Sequence, residues 1–282
     1  MSLRVLVTGS SGKIGSVVAR ELADQGHEVV PFDVVLGDDM RDAEALSRAT
    51  RGCQAVVHLA AFPGDRPGRG DEVLQTNLLG TFHVLAAARE HHLRRVVFFS
   101  SVNSLGVFTG HRKPDYLPID DAHPSYARTP YAQSKHLGEE MCRTFTRETG
   151  IATISLRPPA VLRPEDRGRR RERWRADPAS EWTPIWEYGA FLDVRDAATA
   201  AGRALACADP GNASVLLCAD DVAASAPGRE LAARLLPEVP WRGGAEYDDD
   251  PYRALVDTSL ARAVLDWRPR YPWRRPDDAA GR

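Results

Sequence analysis

Between Leu3 and Asp33 the chain reads LRVLVTGSSGKIGSVVARELADQGHEVVPFD, an order that leaves few folds open. A short run with β-branched residues (Leu3 to Val7) enters a Gly/Ser turn, after which Ile14, Val17, Val18 and Leu22 recur at helical spacing. Gly26 closes the helix and HEVVPFD supplies a second strand. The alternation continues with AEALSRAT as helix, CQAVVHLAA as strand, VLQTNLLGTFHVLAAAREH as helix, RRVVFFSS as strand, YAQSKHLGEEMCRTFTRET as helix and IATISLRPP as strand. Strands rich in Val, Ile and Phe that alternate with amphipathic helices imply βαβ units around a buried parallel sheet. The expected fold class is α/β: a Rossmann-type doubly wound parallel sheet with a small C-terminal lobe.

After Pro159 the pattern breaks, and residues 163–188, rich in Arg, Pro and Trp, read as an irregular segment or lid on the substrate side. Regular structure returns with DVRDAATAAGRALA as helix and ASVLLCAD as the last strand of the main sheet. PGRELAARLLPEV and TSLARAVLDWRP then read as two short helices, and RRPDDAAGR as a disordered tail. The expected division is a nucleotide-binding domain over 1–158, completed by 190–219, and a lobe made of 159–189 and 220–282.

Composition narrows the partners. A net charge of -2 gives no general attraction to nucleic acid or to an anionic membrane. No apolar run approaches the length of a membrane span and no signal-like segment opens the chain, so a cytoplasmic location is expected. Cys53, Cys142, Cys207 and Cys218 are scattered, which favours reduced thiols over disulfides and gives a metal site no support. Only Lys13, Lys113 and Lys135 are lysines, so arginine clusters reflect a general bias and carry little functional weight.

TGSSGKIG sits between the first strand and the first helix, the context in which a glycine pattern acquires meaning. Gly9 allows the tight turn, Gly12 lets backbone approach a pyrophosphate, and Gly15 permits close packing of helix on sheet. Asp33, at the end of the second strand, is placed to bind the ribose hydroxyls of an adenine dinucleotide and would repel a 2'-phosphate. NAD is therefore favoured over NADP, with Lys13 in the loop working against a strict preference. A glycine turn that binds nothing is the alternative.

Taken in order, TGSSGKIG, Asp33, DDMRD, VVHLAA, TNLLGT, FFSSVNSLG, YAQSK, LRPP and FLDVRDAA resemble the extended short-chain dehydrogenases/reductases, the NAD-dependent epimerase/dehydratase family. The likeness runs from residue 3 to about residue 220 and is specific for the superfamily more than for the reaction. It implies NAD as cofactor, held by Gly9, Ser11, Gly12, Lys13, Ile14, Gly15 and Asp33. It also implies that Asp39 and Met40 lie against the adenine, that Leu59, Ala60, Ala61 and Pro158 line the cleft, and that Asn77 supports it from the neighbouring helix. For HLAA and TNLLG simple core packing is the competing explanation.

Tyr131 and Lys135 stand four residues apart, which places both on one helix face. A phenol with an ordinary pKa near ~10 needs help to act as a base, and a lysine one turn away stabilises its phenolate while also reaching a nicotinamide ribose. The resemblance selects Ser101, at the end of RRVVFFSS, to orient the substrate oxygen, ahead of Ser100 and of Ser104. Asn103 becomes a hydrogen-bonding contact to substrate. The family's 4,6-dehydratases carry an acidic residue beside the catalytic hydroxyl, whereas Val102 and Asn103 follow Ser101 here, which speaks against dehydration.

Residues 160–190 leave little room for a nucleotide-gripping insertion, which favours a small sugar-like substrate, as in the compact uronate dehydrogenases. RPEDRGRRRERWRADP invites a carboxylate or phosphate clamp through Arg163 and Arg173, against which stand the arginine bias and a solvated loop. Arg157 reads as structural. The expected activity is NAD-dependent oxidation of a secondary or hemiacetal hydroxyl on a sugar, sugar acid or polyol. The alternatives are an epimerase with tightly held NAD and a catalytically silent NAD sensor. Relatives commonly pair through the helices of LLGTFHVLAAARE and YAQSKHLGEEMCRTF, so a homodimer is expected, with Leu137, Met141 and Phe145 as a narrow apolar stripe that can equally face the sheet.

Overall fold

A computed structural model describes residues 2–177, 186–208 and 210–274. Among these residues the short β6 (Val161–Leu162) and β7 (Leu192–Asp193) pair with each other, while six strands form one parallel sheet: β1 (Arg4–Thr8), β2 (Glu28–Phe32), β3 (Ala55–His58), β4 (Arg95–Phe99), β5 (Ala152–Arg157) and β8 (Asn212–Leu216). Their spatial order is β2-β1-β3-β4-β5-β8, so the winding reverses beside β1. In open parallel sheets the crevice for ligands opens at such a reversal, outside the carboxyl ends of the strands. The pleat sends alternate side chains to opposite faces. Val5 and Val7 meet α1 (Gly15–Asp24), α6 (Val194–Ala206) and α9 (Ser259–Leu265), whereas Leu6 and Val56 meet α2 (Ala43–Thr50), α3 (Gly70–Glu90) and α4 (Pro130–Thr149).

A smaller core gathers above the carboxyl ends. Val107, Phe108, Leu117 and Ile119 pack there with Leu231 of α7 (Gly228–Leu235), Tyr247 of α8 (Glu246–Asp249) and Leu255. The segment between β4 and α4 therefore contributes to the lobe, in addition to the later residues expected from the sequence. Bridges pair Leu117 with Trp241 and Ile119 with Val256.

Three expectations change. Residues 163–188 are not irregular throughout, because α5 spans Pro164–Ala176. Its helical period is carried by Arg167, Arg171 and Trp174 in place of aliphatic residues, so an apolar count misses it. Arg167 is buried against Asp193 at 3.3 Å, while Arg171 and Trp174 lie against the Trp273 ring. The second C-terminal helix, α9, leaves the lobe and joins the main core. Ala261, Leu265 and Trp267 pack on the alanine face of α6, where small side chains allow close approach, and Trp267 Nε1 donates to Asp196 O at 3.2 Å. The Leu137, Met141, Phe145 stripe is also divided: Leu137 is 43% exposed and Phe145 is 8% exposed, in the core beneath the sheet. Each step of four residues advances a helix by ~40° beyond a full turn, enough to carry one end of the row inward. The segment read as a disordered tail falls, from residue 275 on, outside the described residues.

Candidate active site

The carboxyl ends of the strands open into a cleft of about 700 Å³ lined by residues from the glycine turn, β2, β3, β4, α4 and the chain after β5. Gly9 has φ +70°, and a Cβ there would lie 2.7 Å from Ala60 N. A Cβ on Gly15 would fall 2.0 Å from Gly9 O. These two positions admit no side chain, while Gly12 presents bare backbone to the cleft just before α1 begins. Ser11, Lys13 and Ile14 line the same turn. Asp33 is buried and pinned, its Oδ2 accepting from Ser11 N at 2.8 Å and its Oδ1 from Val35 N at 3.0 Å. The turn, the α1 N-terminus and the carboxylate together fit an adenine dinucleotide: backbone for its phosphates and an acceptor for its ribose.

At the far end Asp38, Asp39 and Met40 line the cleft together with Arg41, which the sequence reading passed over. Arg41 is folded back on Asp39, with Nη2 to Oδ2 at 2.5 Å, so its charge is largely committed there. The strand-end residues Leu59, Ala60 and Ala61 are held from behind by Thr8, whose hydroxyl accepts from Leu59 N and Ala60 N at 3.2 Å. Pro158 also lines the cleft. Asn77 does not; it sits behind the wall, accepting from Phe62 N at 2.8 Å and donating to Ser134 Oγ at 3.0 Å, and so ties the loop after β3 to α4.

The nicotinamide end is assembled from β4 and α4. Thr129 caps α4 through Ala132 N and Pro130 occupies its first turn, which puts Tyr131 at the helix entrance. Tyr131 N donates to Asp65 Oδ1 at 2.8 Å. One turn on, the Lys135 ammonium donates to Phe99 O at 2.7 Å and stands 5.8 Å from the Tyr131 ring centre. The two serines at the end of β4 separate: Ser100 turns inward to Glu139 Oε1 at 2.5 Å, and Ser101 lines the cleft with Tyr131, its hydroxyl accepting from Asn103 N at 3.1 Å. Ser104 is buried and its hydroxyl has no partner. Burial pushes Lys135 down to about 8, against the pull of Glu139. Burial also pushes the Tyr131 phenol up to about 12, opposed by Ser101 and reinforced by the negative charges of Glu187 and Asp65.

Around the substrate end the outcome is mixed. Asn103 lines the cleft with its side-chain carbonyl buried and unpartnered. Arg163 and Arg173 do not line it; both are exposed on α5, Arg163 at its N-cap, because the inward positions of that helix are taken by Arg167 and Trp174. The group that does reach the cleft is Glu187, which no sequence pattern announced and which a kinked backbone delivers. A second missed feature joins the glycine turn to α5, where Lys13 Nζ meets Asp166 Oδ2 at 2.8 Å. Lys13 holds the Asp166 carboxyl below the usual carboxylate range. Exposed pairs of this kind are worth about 0.2–1 kcal/mol, so Asp166→Asn is expected to speed NADH release by about 1.4- to fivefold at low salt. Added salt should bring the two proteins together. Equal release rates at low salt in stopped-flow would remove this role.

A glycine-turn cleft at the sheet's reversal, with Ser101, Tyr131 and Lys135 along its lining, defines a dinucleotide-binding scaffold. The sequence profile of the NAD dependent epimerase/dehydratase family matches residues 5–216, and the chain belongs to that family. Among relatives, the uronate dehydrogenase of Pseudomonas syringae pv. tomato is 30% identical over 179 residues, covering 59% of this chain and 62% of that protein. The L-arabinose 1-dehydrogenase (NAD(P)(+)) of Haloferax volcanii is 31% identical over 170 residues, 55% of this chain and 65% of its own. The UDP-glucose 4-epimerase of Streptomyces lividans is 30% identical over 175 residues, 55% of this chain and 51% of its own. The matches thus span between about half and two thirds of these relatives. A short-chain dehydrogenase/reductase superfamily protein from Agrobacterium tumefaciens, solved with bound NAD, superposes with a TM-score of 0.71 at 25% identity, covering 96% of this chain and 94% of that one. NAD is the cofactor of this family. Among the described residues no helix is long and apolar enough to cross a membrane.

Proposed function

We propose that the protein is an NAD-dependent oxidoreductase that moves hydride between NAD and a secondary or hemiacetal hydroxyl of a small sugar, sugar acid or polyol. The observation that carries this is the convergence of Ser101, Tyr131 and Lys135 on the cleft end farthest from Asp33. When bound, NAD supplies the hydride acceptor and a positive ring that favours the phenolate. Tyr131 takes the proton of the substrate hydroxyl as its carbon is oxidised. Ser101 orients the substrate oxygen and steadies the phenolate by hydrogen bonding, and Lys135 stabilises it electrostatically from one turn away. Among the described residues the substrate side is formed by 159–177 and 186–189 with the C-terminal residues that follow β8, and by the chain between β4 and α4. The uronate and L-arabinose dehydrogenases among the relatives support this class of substrate. NADH formation with a panel of aldoses, uronic acids and polyols tests the proposal; a broad panel without turnover would sink it.

The Lys13–Asp166 contact that ties the glycine turn to α5 favours one further reading, an epimerase that retains its cofactor between half-reactions. Such an enzyme would purify with NAD and convert a sugar to its isomer without net NADH, which product analysis by NMR would reveal. A homodimer through α3 and α4 is also proposed, since Phe82 and Leu137 expose 55% and 43% of their surface there. Light scattering that finds a monomer at working concentration would reject it.

A further inference from the structure

We infer that the pocket beside Tyr131 is built for an uncharged, hydroxyl-rich sugar, with Glu187 and Asn103 as acceptors of substrate hydroxyls and Glu187 as the residue that turns sugar acids away. The inference rests on the oxidoreductase reading above and narrows its substrate class.

Position comes first. Glu187 lines the same cleft as Ser101, Asn103 and Tyr131, and its charge is felt at the Tyr131 phenol. It is held there firmly. Glu187 and Tyr188 both have left-handed backbones, φ 61° and 50°, a conformation that costs a side-chain-bearing residue about 1–3 kcal/mol and persists only where its surroundings enforce it. The enforcement is visible: Glu187 O accepts from Ala190 N at 2.6 Å, and Glu187 Oε2 accepts from Ala160 N at 2.9 Å. The Tyr188 hydroxyl donates to Val107 O and its ring packs edge-on against Phe108. The chain thus accepts strain to put a carboxyl, 9% exposed, at the substrate end.

Hydrogen-bond inventory comes second. A carboxylate offers about four lone-pair sites, of which Ala160 N takes one. The Asn103 side-chain carbonyl is buried with no partner. Both ask for donors. Sugar hydroxyls are donors; the carboxylate of a sugar acid is an acceptor only.

The basic residues decide the matter. Those lining the cleft are Lys13, Arg41 and Lys135, committed to Asp166, Asp39 and Phe99 O respectively. Arg170 of α5 draws the Glu187 carboxyl downward, while burial, the larger influence, pushes it up to about 7. Residues 178–185 read PASEWTPI and add no Arg or Lys. Among the described residues, then, no arginine fork lines the substrate end to receive a carboxylate. Above pH 7, where Glu187 is ionised, a sugar acid would instead place its charge beside that carboxylate, a mismatch of the kind that sets specificity by repulsion.

The test pairs sugars that differ only at C6: D-galactose with D-galacturonate, and D-glucose with D-glucuronate. Binding to the protein–NADH complex is read by NADH fluorescence on the alkaline side of pH 7, where Glu187 is ionised, and turnover separately by NADH formation from NAD. The neutral member of at least one pair should bind about tenfold or more tightly than its acid. Glu187→Gln, which keeps the acceptor for Ala160 N, should narrow that ratio by about tenfold through tighter uronate binding, with NADH affinity unchanged. Tighter binding of the uronates by the unaltered protein, a ratio unmoved by Glu187→Gln, or no binding of any of the four sugars overturns the inference. Sugars that bind with the expected preference yet yield neither NADH nor an isomer would defeat the oxidoreductase proposal alone.

Discussion

Tyr131→Phe lowers kcat for NADH formation by about 10³-fold while leaving NAD affinity within about twofold, as expected for removal of a positioned proton acceptor. Phenylalanine keeps the ring, and with it the Lys135 contact and the packing at the α4 entrance. Only the phenolic hydroxyl, on the cleft side with Ser101, is lost. Nothing in the glycine turn or around Asp33 depends on it, so the cofactor should bind as before. The pH profile separates this role from a structural one. Burial holds the phenol up to about 12 in the protein alone, so the base form is scarce at neutral pH and kcat/KM should climb toward alkaline pH. In the variant the small residual rate should lose that climb. Loss of NAD binding together with activity, or an unchanged alkaline limb, would remove Tyr131 from the role of base.

Arg157→Leu destabilises the protein by about 3–5 kcal/mol, the usual cost of leaving a buried charge unpaired. Arg157 makes two parallel hydrogen bonds to Glu139, 3.0 Å to Oε1 and 2.6 Å to Oε2, and Nη1 lies 3.8 Å from Asp121 Oδ1. The Glu139 side chain is 2% exposed, so water cannot replace the guanidinium. A loss of this size should lower Tm by roughly 10 °C in calorimetry. It should also depend on pH. Burial raises Asp121 to about 7 even with Arg157 beside it. A carboxyl whose folded pKa lies above its unfolded value binds protons preferentially in the folded state, so stability falls as pH rises through that window. Removing Arg157 adds to that rise, and the deficit of the variant should therefore be smaller near pH ~5 than near pH ~8. Changing Glu139 to Leu as well should recover part of the loss, because it deletes the stranded charge. A Tm within about 2 °C of the parent would show that the pair contributes little.

The network also bears on the site. Glu139 takes the hydroxyl of Ser100, which leaves Ser101 as the strand-end serine free to serve the cleft beside Tyr131. Sequence spacing alone left these neighbours competing. The pleat puts successive side chains on opposite sides, and a partner four residues beyond Lys135 on α4 settles which serine goes where.

The glycine turn, the strand and helix alternation, Asp33 and the Tyr131–Lys135 spacing were legible because each rests on local chemistry: backbone freedom, a 3.6-residue period, a short-range turn. From these the parallel sheet and the cofactor end of the cleft could be anticipated. α5 was not legible, since arginines carry its buried positions, and their burial makes sense only beside Asp193 and Trp273. Nor was the departure of Trp267 from the lobe, which depends on the alanine face of a helix distant in the chain. The substrate end was least legible of all. Arg163 and Arg173 attracted notice by charge and point away, while Glu187, an ordinary glutamate between Trp186 and Tyr188, reaches the cleft. Sequence by itself determined that this chain winds a parallel sheet around a dinucleotide. Which side chains face the substrate was decided by tertiary structure, because their orientation is set by long-range contacts and a strained backbone that no local pattern encodes.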